Sequence, residues 1–202
     1  MKAESARAVR ASAEDNSLSP DQDIDLLPGL RAGEPSALKA LMDRHLDRIH
    51  GLAWHMSGDR ALAEDVSQET FLRFWQTAPS WDASGNATIL TWLRRVATRI
   101  CIDEKRRKRP IYTDEVPEQI DLTPRPDLEL VRSDTANAVQ SAMMRLPERQ
   151  RAALVLSFYQ QVSQAEGSAA MGVSEKAYES LLSRAKVKLK SELMTGKESL
   201  AL

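Results

Sequence analysis

A chain of 202 residues with 28 basic and 29 acidic side chains carries a formal net charge of −1, a balance that by itself speaks against a nucleic-acid partner. Aromatics at 5% and charged residues at 28% fit a helix-rich soluble chain of one medium domain or two small ones. No run approaches the roughly 18 to 20 apolar residues of a membrane span, the first twenty residues lack the apolar core of a secretory signal, and the single Cys101 excludes an internal disulfide framework and fits a reducing cytoplasm.

The charge is unevenly placed. Arg94 to Arg109 holds eight basic residues against two acidic, Pro110 to Asp134 two against seven, and Lys176 to Lys190 five against one. Two basic segments flank an acidic one, an asymmetry that the near-zero sum hides and that restores nucleic acid as a partner.

Residues 1–22 are small and polar without a sustained period and are expected to form a disordered tail. A helical pattern starts at Asp23 with Leu26, Leu27 and Leu30 and breaks at Gly33-Glu34-Pro35. Ser36 is the expected N-cap of a long helix carrying Leu38, Leu41, Met42, Leu46, Ile49, Leu52 and Ala53. His45, His50 and His55 lie on it at steps of five, which turn roughly 140° apart, so the imidazoles do not converge on a metal and are expected to be solvated or capping.

Asp59 can cap the next helix, Ala61 to Trp75, which is amphipathic twice over. Leu62, Val66, Thr70 and Phe74 make an ordinary core stripe. Asp65, Gln68, Leu72 and Trp75 make a second line that mixes polar groups with large apolar ones, as interface centres do. Periodicity leaves Trp75 open between that docking line and the domain core. Trp81 to Thr88 is a loop by composition. In the helix that follows, Ile89, Trp92, Val96 and Ile100 form one apolar line with Leu93, Ala97 and Cys101 beside it, which makes Cys101 structural. Arg94, Arg95, Thr98, Arg99, Lys105 and Arg106 populate the other side. A helix C-terminus attracts two or three cations through its dipole, but the unbroken run Lys105 to Arg109 calls for phosphates.

Ile111 to Arg132 contains Pro117, Pro124 and Pro126 and most of the acidic residues, and reads as a linker able to reach roughly 70 to 80 Å at about 3.3 Å per residue. From Asp134 the pattern resumes on Ala136, Val139, Met143 and Leu146, breaks at Pro147, and continues from Ala152 to Tyr159. Ser163 and Glu166 form a capping box that opens a short helix to Met171. Gly172-Val173-Ser174 is a tight turn, and Ser174 caps a long helix on Tyr178, Leu182, Ala185 and Leu189. Short helix, glycine turn and longer basic-tailed helix make a helix-turn-helix.

The expected fold class is therefore all-α, with two small helical domains joined by a flexible acidic linker. The boundaries are a tail over 1–22, a first domain over 23–109, the linker over 110–133, a second domain over 134–194 and a tail over 195–202.

The line Asp65-x-x-Gln68-Glu69-Thr70-Phe71-Leu72-Arg73-Phe74-Trp75 resembles the polymerase-binding helix of sigma-70 family transcription factors, in particular the small extracytoplasmic-function group. Trp92, Leu93, Arg95, Val96, Ala97, Arg99, Asp103, Arg106 and Arg107 are similar to that family's minus-ten recognition and melting element, with Arg99 where an Asn is usual. The stretch from Leu146 to Leu189 resembles the C-terminal domain that reads the minus-thirty-five element. The resemblances run in family order over about residues 23–194.

The resemblance implies an extracytoplasmic-function sigma factor that directs core RNA polymerase to promoter DNA in a stress or environmental response. An anti-sigma factor would hold it inactive in the cytoplasm, without membrane insertion, metal or cofactor. The implied polymerase contacts are Asp65, Gln68, Glu69, Leu72 and Trp75. The implied minus-ten residues are Asp82, Ser84 and Asn86 in the loop that holds a flipped base, with Arg95, Arg99, Lys105, Arg106 and Arg107 on the helix. The implied minus-thirty-five residues are Ser174, Lys176, Glu179, Ser180, Ser183, Arg184, Lys186 and Lys188.

Two departures from the family pattern bear on the second domain. Glu179 and Leu181 stand where many members have basic residues. Gly167 stands where an isoleucine usually packs, at a cost of about 1 kcal/mol in helix propensity and about 2 in lost burial, which predicts a loose helix-turn-helix. The rival function is an autonomous helix-turn-helix regulator with residues 23–110 as a sensor or dimerisation domain. An enzyme is not supported, because no Ser/His/Asp set, glycine-rich phosphate loop or carboxylate pair has a supporting context.

Overall fold

The computed structural model describes the backbone of residues 21–83, 87–107 and 130–199 and the side chains of 23–83, 87–104 and 136–194. Residues 1–20 of the expected tail over 1–22, residues 110–129 of the expected linker over 110–133, Lys108 and Arg109, and Ser84 to Asn86 lie outside the described residues. Among the described residues every regular element is helical: α1 (Asp21–Ile24), α2 (Leu27–Arg31), α3 (Pro35–Ser57), α4 (Arg60–Thr77), α5 (Ile89–Arg107), α6 (Leu130–Met144), α7 (Glu148–Leu154), α8 (Gln164–Met171) and α9 (Glu175–Ser199). None is long and apolar enough to cross a membrane.

Local sequence sets the helix ends. Glu34, not Ser36, is the N-cap of α3, because Pro35 takes the first helical position where its missing N–H costs nothing. The helix ends at Gly58, whose φ of +70° suits a residue without Cβ. Asp59 accepts the N–H of Leu62 at 3.1 Å and starts α4. Thr88 accepts from Thr91 N–H at 3.1 Å at the start of α5. The capping box at Ser163 and Glu166 is present in both directions, and Ser174 accepts the N–H of Ala177 at 3.3 Å. Helix α6 begins at Leu130, four residues before the expected restart.

Helices α3, α4 and α5 pack on one another to form the first unit, with α2 closing one end. Leu41, Ile49, Leu52, Val66, Thr70, Phe74, Leu93 and Ala97 are buried in it. The most buried line on α5 is Ile89, Leu93, Ala97 and Cys101, while Trp92, Val96 and Ile100 are only half-buried. An edge-on aromatic trio closes the far side: Phe74 lies 5.5 Å from Trp81 and 5.4 Å from Trp92, centroid to centroid. His45 is a correction to the expected solvated or capping histidines. It is 1% exposed, and its Nε2 lies 2.9 Å from both carboxylate oxygens of Asp23, which ties α1 to α3.

Helices α6 to α9 form the second unit, in which α9 packs on α6, α7 and α8. Helix α7 runs into a π turn, Val155–Tyr159, closed by Gln160 N–H on the Val155 carbonyl at 3.0 Å, and Gln161 follows with φ +50°. The helix-turn-helix is tightly filled, against expectation. The Tyr178 ring of α9 occupies the space over Gly167, where an added Cβ would collide with its hydroxyl and ring carbons. Its hydroxyl donates to the Ala153 carbonyl at 3.2 Å, and burial pushes it up to about 12. The missing side chain is thus supplied by a different residue.

The two units are in contact. One apolar cluster runs from Leu27 through Cys101 to Met143, Ala152, Ala170 and Tyr178, and α5 lies along α8. Composition of the linker said nothing of this.

Substituting Gly167→Ile is expected to destabilise the second unit by at least about 2 kcal/mol, because overpacking against Tyr178 outweighs the gain in helix propensity. A lowered thermal midpoint checks it. An unchanged or raised midpoint would show that Tyr178 has room to move.

Candidate functional site

Three exposed strips are candidates, one on each of α4, α5 and α9. On α4 the core stripe is in place, with Val66, Thr70 and Phe74 buried and Leu62 half-buried. Of the second line, Asp65, Gln68 and Leu72 edge an open groove between α4 and α5, floored by Leu62, Val66 and Ile100 and joined by Glu69 and Glu104. Asp65 and Gln68 are exposed, and Leu72 is 50% exposed although it is a large apolar group. Glu69 accepts from Arg73 Nε at 2.6 Å, one turn on. Trp75 leaves the groove. It is half-buried against the core and faces the Gly33 turn after α2, so it serves the fold at least as much as the surface.

On α5 the arginines divide. Arg95 and Arg99 are exposed, Arg99 with only a loose 3.7 Å pairing to Asp103. Arg94 and Thr98, expected on the same polar side, are 6% and 1% exposed because α8 covers them. The side chains of Lys105, Arg106 and Arg107 lie outside the described residues. In the loop, Asp82 is exposed. Trp81 is pinned at the loop's start by its ring contacts and by Arg31, whose guanidinium donates to the Trp81 carbonyl at 2.6 Å.

On α9 Lys176, Glu179, Ser183, Arg184 and Lys188 are exposed and Ser180 is half-buried, and Ser174 is engaged as the helix cap. Lys176, Ser180, Ser183 and Arg184 share one face at steps of four, three and one. Lys186 is turned elsewhere: its ammonium sits 5.2 Å from the centre of the Phe158 ring, at the rim of an apolar groove of about 460 Å³ lined by Val139, Met143, Leu154 and Leu189.

The sequence reading missed the side chains between the units. Arg94 donates from Nε to the Gln160 side-chain carbonyl at 3.2 Å and from a terminal nitrogen to the Gln160 backbone carbonyl at 3.3 Å. Gln160 donates to the Arg48 carbonyl at 2.9 Å. His55 stacks on Tyr159 at 3.6 Å and lies 3.2 Å from the Gln140 amide oxygen, and the Gln140 amide nitrogen donates to the Trp54 carbonyl. These contacts join residues up to 112 positions apart, and no local pattern marks them. Among the described residues no cluster of three or more His, Cys, Asp or Glu could hold a metal ion.

Comparison with known proteins agrees with this layout. The family model for sigma-70 region 2 matches residues 41–111, and that for sigma-70 region 4 matches residues 136–189. The chain is 32% identical over 167 residues to the ECF RNA polymerase sigma factor SigM of Mycobacterium tuberculosis, covering 83% of this chain and 82% of that one. It is 32% identical over 157 residues to the ECF RNA polymerase sigma factor SigE of Mycolicibacterium smegmatis, covering 76% of this chain but 60% of the relative's length. The structure of CnrH in complex with the cytosolic domain of CnrY superposes with a TM-score of 0.65 at 25% identity, covering 86% of this chain and 97% of that one.

Burial holds His55 below its ordinary 6.5, partly offset by the Gln140 contact. A histidine depressed in the folded state binds fewer protons folded than unfolded, so its stability contribution is full above pH 6.5 and declines as pH falls below it. Thermal unfolding between pH 7.5 and 5.5 is expected to show the midpoint dropping on acidification, less steeply in His55→Phe. Equal slopes in the two proteins would remove His55 as the cause.

Proposed function

This chain belongs to the extracytoplasmic-function group of the sigma-70 family, and from that premise we propose that it binds core RNA polymerase and directs it to specific promoters. The observation that carries the proposal is the order of the two matched regions combined with the half-exposed Leu72 beside Asp65 and Gln68 on α4. Leu72 is held out of a core that has the other large apolar side chains of its helix, Leu62, Val66, Phe71, Phe74 and Trp75, buried or half-buried, and such a group is kept for a partner.

The roles then divide by surface. Asp65, Gln68, Glu69 and Leu72 meet the polymerase, with Trp75 bracing the helix behind them. Arg95 and Arg99, followed by the basic run Lys105 to Arg107, hold the strand at the minus-ten element, with the loop from Asp82 through Ser84 and Asn86 for an extruded base. Lys176, Glu179, Ser180, Ser183 and Arg184 face the minus-thirty-five element from the helix-turn-helix, with Ser174 capping that helix and Lys188 available to phosphates. Lys186, over Phe158, is better placed for a partner at the apolar groove. No step calls for bond chemistry by the protein itself, and no cofactor is needed. The relation to CnrH, solved with the cytosolic domain of CnrY, supports control by a protein partner; on the sigma-factor reading that partner is an anti-sigma factor covering the polymerase-facing surfaces, and the setting is a cytoplasmic stress response.

Run-off transcription with purified core polymerase on promoters identified by transcript sequencing after overexpression is the direct test. Added protein should give a defined start site, and a nanomolar footprint by the isolated protein on the same DNA would point instead to an autonomous regulator. Leu72→Ala should weaken polymerase binding while stability stays within about 0.5 kcal/mol. Trp75→Ala should also lose about 1 to 2 kcal/mol of stability, for its half-buried indole. Arg184→Ala should cost roughly 1 to 3 kcal/mol at promoters that depend on the upstream element if it reads a base. Neutralising Arg106 and Arg107 should weaken all promoters alike and flatten the salt dependence.

A further inference from the structure

The loop between α4 and α5 leaves the first unit at Trp81, and two different kinds of contact hold that residue. Its ring stands edge-on to Phe74 at 5.5 Å and to Trp92 at 6.2 Å, centroid to centroid. Its carbonyl accepts from the Arg31 guanidinium at 2.6 Å, across 50 positions of sequence. The two contacts control different things. Packing of the ring fixes where Trp81 stands but leaves its torsion ψ undetermined. A donor on the carbonyl fixes the planar peptide that joins Trp81 to Asp82, and with it the direction in which the chain departs. Trp81 is the first residue past the short 3₁₀ turn Ala78–Ser80, at φ −65° and ψ 125°, so its carbonyl has left the helical ladder and takes its donor from elsewhere.

Arg31 is itself firmly placed. It ends α2, a helix of five residues that is too short to stand alone. Leu27 and Leu30 of α2 are buried, and the helix packs on both α3 and the turn at 78–80. Upstream, Asp23 meets the buried His45, and Arg44 reaches Asp25 at 3.2 Å. The far end of the loop is fixed separately, where the Thr88 hydroxyl accepts from Thr91 N–H and Ile89 is buried. Arg31 stays exposed. An exposed guanidinium on a single carbonyl adds little to a core that Phe74, Trp81 and Trp92 already close. What it sets is direction.

Asp82 is the first exposed side chain past that peptide, and its carboxylate can accept from the exocyclic amino group of an extruded adenine or cytosine. Capture of a flipped base needs the receiving group in place as the base leaves the stack. A displacement of about 1 Å in such a group costs up to about a hundredfold in rate. We propose that Arg31 is a positioning residue for promoter opening: its bond to the Trp81 carbonyl aims the start of the loop, and so Asp82, at the strand being melted. This role rests on the sigma-factor reading and on the loop's place in it. The helices α1 and α2 thereby take part in minus-ten recognition without touching DNA.

The test uses holoenzyme reconstituted from the full-length chain and core polymerase, on a promoter fragment with 2-aminopurine replacing adenine in the minus-ten element. Initial affinity and its salt dependence are measured apart from the rate of opening, which the fluorescence of the unstacked base reports. Arg31→Met is expected to leave affinity and salt slope unchanged and to slow opening about tenfold. Its thermal midpoint should stay within about 5 °C of the parent. Arg31→Lys restores a donor and is expected to recover most of the rate. Asp25→Asn removes an ion pair of the same segment, leaves the Trp81 contact in place, and is expected to open promoters as fast as the parent. An Arg31→Met protein that opens at the parent's rate would overturn the proposal. Equal slowing in Asp25→Asn would also overturn it, by tracing the effect to the stability of the segment. A salt slope lower by about one in Arg31→Met would make Arg31 a phosphate contact instead. A parent that opens no promoter at all removes the sigma-factor reading, whereas a parent that opens them confines any failure to Arg31.

Discussion

Helix α5 is the element on which the rest depends, because it is asked to bury two faces and expose a third. The line Ile89, Leu93, Ala97 and Cys101 fills the core of the first unit, and the neighbouring line of Arg94 and Thr98 lies under the second unit. What remains is the strip carrying Arg95 and Arg99. A helix with about 3.6 residues per turn has room for those three strips and little more. The same nineteen residues therefore hold a core together, carry a domain contact and leave cations on the surface.

The second unit shows how a substitution that looks costly in one dimension is absorbed in three. Gly167 removes a side chain from the helix-turn-helix, but Tyr178 enters the vacated space and finds the Ala153 carbonyl for its hydroxyl. A buried tyrosine with its hydroxyl satisfied contributes a large apolar area without an unpaired polar group. The glycine is then a requirement of the tyrosine. Summing propensity and lost burial at position 167 alone misses this, because the compensation comes from a residue on the next helix.

The family's surfaces sit on a scaffold that makes them unequal in cost. Leu72 and the polar residues around it stand on a helix whose opposite face is buried, so the line proposed for docking is held in place by the core beneath it. Trp75 is shared between that line and the core, which couples the surface to stability. The loop between α4 and α5 begins at Trp81, whose ring is fixed by Phe74 and Trp92. Two aromatic rings eleven positions apart and a third at the end of α4 thereby define where the loop leaves the domain.

The sequence by itself determined the helical class, the caps at Asp59, Ser163 and Ser174, the core stripe of α4 and the helix-turn-helix, because each follows from neighbours within four residues along the chain. The motif order was legible for the same reason: Asp65 to Trp75, Trp92 to Arg107 and Leu146 to Leu189 are continuous stretches. The tertiary structure alone decided where His45, Arg94 and Thr98 lie, that Trp75 belongs partly to the core, and that Tyr178 stands in for a side chain at Gly167. It also decided that the units meet at all. Polarity at a helical position predicts exposure only when nothing packs on that face, and the elements that bury Arg94 are set by contacts 66 residues away. A periodic pattern carries no information about which distant surface arrives to cover it, since that is fixed by the shapes of two finished units.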